Sequence, residues 1–412
     1  MAPPRYFQYP AMMVAEVQRS VLDIVRGSVP DMYSLVDPFV GSGTMLTEAM
    51  RAGMSALGQD VNPLAVLVAS TETTVLDPDA VQECADFVLR PPRIAETAGP
   101  RLTREAAAKW FSIEAVGELA ILAGAIRLVP AAADRRFLWV ALAETVRLCS
   151  NSRTSTYKLH LRTAEDMQRV RPARQVFAEI VTRNIAELRR FRGELEQAGR
   201  LVNGRYQGEV TVQLGDSRGS VAGTHDVLVT SPPYGDNGST VPYGQASFLA
   251  LAWVDPADIS PDVPEDILAT TLRIDHRSLG GSMPRGGWAK YAASALDGSP
   301  TLRRFVEGLT HEPRDRAQRV ATFVADLDAT LDPVLAALRP DAPMIWTIGN
   351  RRVGFAEVPL TTILSELLEA RGCHVIAGIR RRIEGKRMAS RNSVAQTIRH
   401  EDVVVIASPE RS

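Results

Sequence analysis

Two rhythms of apolar residues alternate along the chain. Short runs that are apolar at nearly every position, each stopped by Gly, Pro, Asp or Asn, read as buried strands. Longer stretches with apolar residues three and four apart read as helices. Met13, Val14, Val17, Val21 and Ile24 predict a helix beginning near Ala11. MYSLVD follows as a strand that runs into the glycine turn DPFVGSGT. MLTEAMRAG then places Met45, Leu46, Ala49 and Met50 on one helical face, with Gly53 at the C-terminal cap. SALGQD is a second strand, ending at Asp60. Strand, glycine turn, helix and strand is the opening of a parallel α/β sheet.

From Pro63 to about Tyr206 the helical rhythm dominates, as in Phe137, Leu138, Ala141, Leu142 and Cys149, and again in Phe177, Val181, Ile185, Leu188 and Leu195. Strands return with EVTVQLGD and HDVLVTS. A Gly/Pro/Ser-rich region, roughly 235–315, precedes a long helix carrying Val320, Phe323, Val324, Leu327, Leu331 and Leu335, with a kink expected at Pro333. PMIWTIGN is a strand, VPLTTILSELLEARG a helix ending at Gly372, and HVIAGIRRRI and EDVVVIAS are the last strands. The alternation continues on both sides of the helical stretch. The expected fold is therefore α/β, a doubly wound, mainly parallel sheet in one discontinuous domain (1–62 and 205–412) with an inserted helical subdomain (63–204).

Composition narrows this little. A hydrophobic share of 45% and a charged share of 23% are ordinary for a soluble globular protein. A net charge of −1 gives no global attraction to nucleic acid or membrane, so any polyanion site is a local patch. Cys84, Cys149 and Cys373 lie far apart and the six histidines are scattered, so no metal centre is expected and a reducing cytoplasm suits the chain. The N-terminus lacks a signal-peptide layout, and no apolar run reaches membrane-spanning length, so no membrane association is expected.

The chemistry sits in two turns. DPFVGSGT lacks the Gly-Lys-Ser/Thr of a nucleotide triphosphatase, and Leu46 stands where a dinucleotide fingerprint has its third glycine. A nucleoside ligand without the pyrophosphate remains: Gly41 and Gly43 let the backbone approach it, and Asp60 can accept both ribose hydroxyl protons. The second turn, in HDVLVTSPPYGDN, ends an apolar run with two prolines that cannot continue a central strand. It leaves Ser231 and Tyr234 on a stiff corner.

DPFVGSGT resembles the S-adenosyl-L-methionine (AdoMet) loop of amino-group DNA methyltransferases, and TSPPY resembles their D/N/S-P-P-Y/F/W tetrapeptide. The resemblance implies the Rossmann-like fold of AdoMet-dependent methyltransferases and AdoMet as cofactor. It implies cofactor contacts from Asp37, Pro38, Phe39, Gly41, Gly43 and Thr44, from Asp60 and Asn62 in GQDVNPLA, from Asp216 in LGDSR, and from Tyr9 and Pro10 in YPAMM. Ser231, Pro232, Pro233 and Tyr234 become the catalytic corner. Ser231 Oγ and the Pro232 carbonyl would accept hydrogen bonds from an exocyclic amino group, while Tyr234 stacks on the extruded base. In that family SPPY accompanies mostly cytosine-N4 methylation and DPPY mostly adenine-N6. The expected reaction is methylation of cytosine N4 in DNA; a DNA adenine-N6 methyltransferase, an RNA amino-methyltransferase of the guanine-N2 type and a non-catalytic nucleic-acid-binding subunit are the alternatives, and a restriction or defence-system partner is compatible with the resemblance. The cofactor motif precedes the catalytic motif, the reverse of many SPPY enzymes, and no conventional target-recognition domain follows the sheet.

DNA contacts are expected from Arg153 and Lys158 in RLCSNSRTSTYKLHLR, which has hydroxyls and amides suited to phosphate. Arg285 and Trp288 in SLGGSMPRGGWAKY are expected to close over a flipped base. Arg381, Arg382, Lys386, Arg387 and Arg391, between the last two strands, are expected on the DNA backbone. NGSTVPYG is expected to shape the pocket.

Overall fold

A computed structural model describes residues 5–10, 12–29, 31–91, 97–236, 240–309, 314–353, 356–382 and 400–410. Its centre is a seven-stranded sheet: β1 Ser34–Asp37, β2 Ser55–Asp60, β3 Val210–Leu214, β4 Val227–Thr230, β5 Pro343–Ile348, β6 His374–Arg382 and β7 His400–Ala407. The order across the sheet is β6-β7-β5-β4-β1-β2-β3. The pairings among β1 to β5 are parallel, and β7 lies antiparallel between β5 and β6. The sheet is thus mainly parallel, as expected.

The continuous apolar runs follow from burial on both faces. Alternate side chains of each strand go to opposite sides. Leu35, Val227, Val229 and Ile345 pack against Leu22 and Val25 of the helix Ala15–Ser28 and Met45 and Leu46 of the helix Thr44–Ala52. Val36, Leu228, Met344 and Trp346 pack against Val320, Val324 and Leu327 of the helix Arg314–Ala336 and Ile363 and Leu367 of the helix Leu360–Glu369.

The structure adds detail to the sequence reading. The first helix starts at Ala15, after Val14, not near Ala11. The region 235–315 holds the helices Tyr243–Leu251, Arg273–Arg277, Trp288–Tyr291, Ala293–Gly298 and Pro300–Gly308. These are too short to show a clear period. The helical core is also not confined to 63–204: Phe248, Leu249, Leu251, Trp253, Ile267 and Ile274 belong to it. Conversely, the helix Pro63–Glu72 contributes Leu64, Leu67 and Val68 to that core and Ala69 to the sheet core, so it joins the two units. Pro333 stands inside the final turn of its helix, which runs on past it to Ala336. Among the described residues no helix is long and apolar enough to cross a membrane.

Between β1 and β4 the strand order reverses direction, because β1 is followed in sequence by β2 on one side while β4 lies on the other. In open α/β sheets the crevice beyond the strand tips at such a reversal is where ligands bind.

Candidate active site at the sheet's switch point

A cleft of about 680 Å³, open to solvent, occupies that position. It is lined from the β1 turn by Pro38, Phe39 and Gly41, from the end of β2 by Asp60, Val61 and Asn62, and after β3 by Asp216 and Ser217. Ser231 and Pro233 beyond β4, Tyr9 from the N-terminal segment, and Tyr243, Arg277, Ser278 and Leu279 complete it. The two motifs that lie about 190 residues apart in sequence therefore share one cavity.

Local sequence explains the geometry. Gly41 has φ +51°, a left-handed backbone that suits glycine, and its amide donates to Asp60 Oδ2 at 3.0 Å. Asp60 Oδ1 accepts from the Asn62 amide at 2.9 Å. The carboxylate thus ties the β1 turn to the tip of β2 and keeps lone pairs for a ligand. Burial pushes the Asp60 carboxyl up to about 6, against the lowering effect of the Asn62 and Gly41 amides. Asn62 caps the helix Pro63–Glu72 by accepting from the Leu64 amide, with Pro63 fixing the first turn. Its amide nitrogen donates to Tyr9 Oη at 3.0 Å and Ser247 Oγ at 2.9 Å, so Asn62 is a wall of the cleft whose side chain is already engaged. Tyr9 lies near Tyr243 with ring centroids 6.0 Å apart and planes 26° apart.

Several residues expected at the ligand stand off the cleft or are already paired within the protein. Asp37 is fully buried and does not line the cleft. Its Oδ1 accepts from Thr230 Oγ1 at 2.6 Å and from the Phe39 amide at 3.1 Å, joining the tips of β1 and β4, and its Oδ2 has no partner among the described residues. Burial pushes its carboxyl up to about 7, with the Thr230 bond opposing. Gly43, at φ +84°, serves packing: a Cβ there would stand 3.0 Å from Ala69 Cα. Thr44, the first residue of the following helix, is buried and also off the cleft. Close packing on the sheet falls to Gly58, which the motif reading missed. A Cβ on Gly58 would lie 2.6 Å from Val40 Cγ2 and 2.7 Å from Leu46 Cδ1. Asp216 lines the cleft, but Arg218 holds its carboxylate at 2.7 Å and also reaches Asp326 at 3.1 Å. Burial alone would raise the Asp216 carboxyl; the Arg218 contacts outweigh it and hold the group below its ordinary value.

Beyond β4 the proline corner is braced from behind. Arg351, following β5, forms a buried ion pair with Asp236 at 2.9 Å, and its guanidinium lies against Gly235. Tyr234 departs from expectation. Its ring packs against the sheet core rather than lining the cleft, and its hydroxyl stands 3.2 Å from Ser231 Oγ and 3.3 Å from Glu401 Oε1.

A second cavity of about 590 Å³ adjoins through Ser247, which bonds Asn62. Pro10 lines this one rather than the first, together with Arg147, Arg153, Tyr157, Lys158 and Gln245. Arg285 is exposed, whereas Trp288 is half-buried against the sheet core, and neither lines a described cleft. Arg381 is paired with Glu401 at 2.5 Å, so its charge is committed within the protein, while Arg382 is exposed. Lys386, Arg387 and Arg391 lie outside the described residues. Ser217, Arg277, Ser278, Leu279 and Glu401 were not anticipated. Tyr243 comes from the stretch expected to shape the pocket.

No protein-family model matches the chain. It is 28% identical over 417 aligned residues to the type II methyltransferase M.MvaI of Kocuria varians, spanning 97% of this chain and 88% of that one. The rRNA methyltransferase aviRa from Streptomyces viridochromogenes aligns over 99% of this chain and 88% of its own at 12% identity and a TM-score of 0.32, too low to carry an argument. The chain is thus similar to a type II methyltransferase over nearly the whole of both, and has a methyltransferase-like α/β fold with an inserted helical subdomain.

Proposed function

We propose that the protein is a DNA methyltransferase that uses S-adenosyl-L-methionine to methylate an exocyclic amino group, cytosine N4, on a base drawn out of the duplex. The observation that carries this is the shared cleft: Ser231 and Pro233 line the same cavity as Gly41, Asp60 and Asp216. The residues present fit the cofactor. Asp60 offers a carboxylate at a β-strand tip, and Phe39 and Leu279 offer apolar surface. When bound, AdoMet supplies an electrophilic methyl group.

The protein's part is orientation. An exocyclic amino group is a poor nucleophile because its lone pair is delocalised into the ring. Accepting hydrogen bonds from it at Ser231 Oγ and the Pro232 carbonyl draws the nitrogen toward tetrahedral geometry. The two prolines and the Asp236–Arg351 pair hold those acceptors in place beforehand, so little ordering accompanies the reaction. Tyr9 and Tyr243 supply the aromatic surface of the cleft that was first expected from Tyr234. Arg153 and Lys158, exposed in the adjoining cavity with no carboxylate paired to them among the described residues, suit phosphates flanking the target.

The test is incubation with labelled AdoMet and unmethylated DNA, followed by nucleoside analysis. N4-methylcytosine is expected. Label confined to 5-methylcytosine or to protein overturns the assignment. N6-methyladenine moves the target base, and label in RNA but not DNA moves the substrate.

A further inference from the structure

A hydrogen-bonded chain runs away from the cleft behind the proline corner. Arg381 and Glu401 are directly opposed on β6 and β7, and Arg381 Nη2 donates to Glu401 Oε2 at 2.5 Å. The other carboxylate oxygen, Oε1, accepts from Tyr234 Oη at 3.3 Å. Tyr234 Oη in turn meets Ser231 Oγ at 3.2 Å, and Ser231 lines the cleft.

The polarity of this chain can be worked out from its end. Arginine only donates, and an ionised carboxylate only accepts. The single phenolic hydrogen of Tyr234 is therefore directed to Glu401, which leaves the phenolic oxygen as the acceptor for the Ser231 hydroxyl. Burial, reinforced by the Glu401 charge, pushes the Tyr234 phenol well above its ordinary value, so that hydrogen stays in place. Ser231 has one hydrogen, and the chain uses it. Only lone pairs remain on the side of Oγ that meets the cleft. An amino group offers hydrogens to those lone pairs, whereas a keto oxygen would oppose them and leave both acceptors unsatisfied.

We infer that Glu401, acting through Tyr234, is a positioning residue that fixes Ser231 as a hydrogen-bond acceptor and so makes the site select an amino-bearing base over a keto-bearing one. This rests on the amino-methyltransferase reading above. It assigns a specificity role to a residue 167 positions from the tyrosine it holds.

The experiment uses the full chain without cofactor and two duplexes of the sequence it methylates. The target position carries cytosine in one and uracil in the other, each opposite an abasic site so that pairing costs are equal. Fluorescence anisotropy gives the ratio of dissociation constants. The wild-type protein is expected to favour cytosine by about fivefold or more, the scale of one unsatisfied buried polar contact. In Glu401→Gln the carboxamide can donate or accept, the chain runs either way, and the ratio falls toward unity while AdoMet affinity is unchanged. Tyr234→Phe breaks the chain and gives the same loss. The double variant adds nothing further, as coupled members of one network require. A wild-type ratio in either single variant, or losses that multiply in the double, overturns the inference. If Glu401→Gln does not fold, Tyr234→Phe decides alone. Should the wild-type protein methylate no nucleic acid, the functional reading fails; should it methylate cytosine with a ratio indifferent to Glu401, only this inference does.

Discussion

Replacing Gly58 by alanine tests whether the cofactor turn is held by the sheet beneath it. Gly58 lies in β2 between Asp37 of β1 and Val212 of β3, so its backbone is fixed on both sides. The new methyl carbon would stand 2.6 Å from Val40 Cγ2, 2.7 Å from Leu46 Cδ1 and 3.0 Å from Val40 Cβ. Carbon atoms at rest are about 3.5–4.0 Å apart, so both side chains must retreat by roughly 1 Å. Leu46 is fully buried, and Val40 is pinned by its amide donating to the Gln59 carbonyl and its carbonyl accepting from the Gly43 amide, both at 2.9 Å. Overpacking of this kind costs about 1–3 kcal/mol. Val40 also lies between Phe39 and Gly41, which line the cleft, so its displacement should weaken AdoMet binding about tenfold, or ~1.4 kcal/mol. Urea unfolding and calorimetric titration with AdoMet measure the two effects. Gly117→Ala is the control: Gly117 is exposed in the helix Ile113–Arg127, a Cβ there meets nothing within 4 Å, and the change should stabilise by roughly 0.5–1 kcal/mol. A Gly58→Ala protein with wild-type midpoint and wild-type AdoMet affinity would refute the reasoning.

Arg351→Met removes a buried ion-pair partner of Asp236 and should destabilise by about 3–5 kcal/mol in urea unfolding, with Asp236→Asn in the same chain recovering part of the loss. The folded state raises the Asp37 carboxyl to about 7, so it binds that proton more tightly than the unfolded chain does. The associated stability is complete below about pH 4 and is lost as pH rises through about 7, so Asp37→Asn should show a smaller drop in urea midpoint between pH 5 and pH 8 than the wild type. Lys158→Gln should weaken DNA binding and reduce the slope of log affinity against log salt by about 1, leaving AdoMet affinity as it was; an unchanged slope would remove Lys158 from the DNA surface.

Legibility in the sequence tracked how local the cause of each feature was. VLVT between Asp226 and Ser231, and MIWTI after Pro343, are short apolar runs with clear stops, and both are strands buried throughout. The turn at Gly41 and the carboxylate at Asp60 were legible because the backbone turn and the strand end are set by neighbouring residues. Roles set by side-chain direction were not. DPFVGSGT does not announce that Asp37 turns inward to Thr230 while Phe39 turns outward to the cleft. Nor does SPPY announce that its tyrosine turns to Glu401. Arg277, Ser278 and Leu279 reach the cleft only through packing of short helices whose sequence has no strong period. The basic residues near the C-terminal end of β6 were read by charge alone, which missed the cross-strand carboxylates: Arg380 pairs with Asp402 and Arg381 with Glu401.

The interleaving of the helical core has a practical and evolutionary corollary. Trp139, deep in the stretch 63–204, donates its indole hydrogen to Asp258, Arg135 grips the same carboxylate, and the Arg101 amide donates to the Ala252 carbonyl. Excising that stretch as a cassette would strip the cover from Phe248, Leu251 and Trp253 and leave a greasy, aggregation-prone remnant. Grafting it onto another sheet would likewise fail unless the segment around 243–274 travelled with it. Recombination between relatives should therefore exchange the two pieces together, and a minimal enzyme made by trimming the insertion is not an engineering route open to this protein.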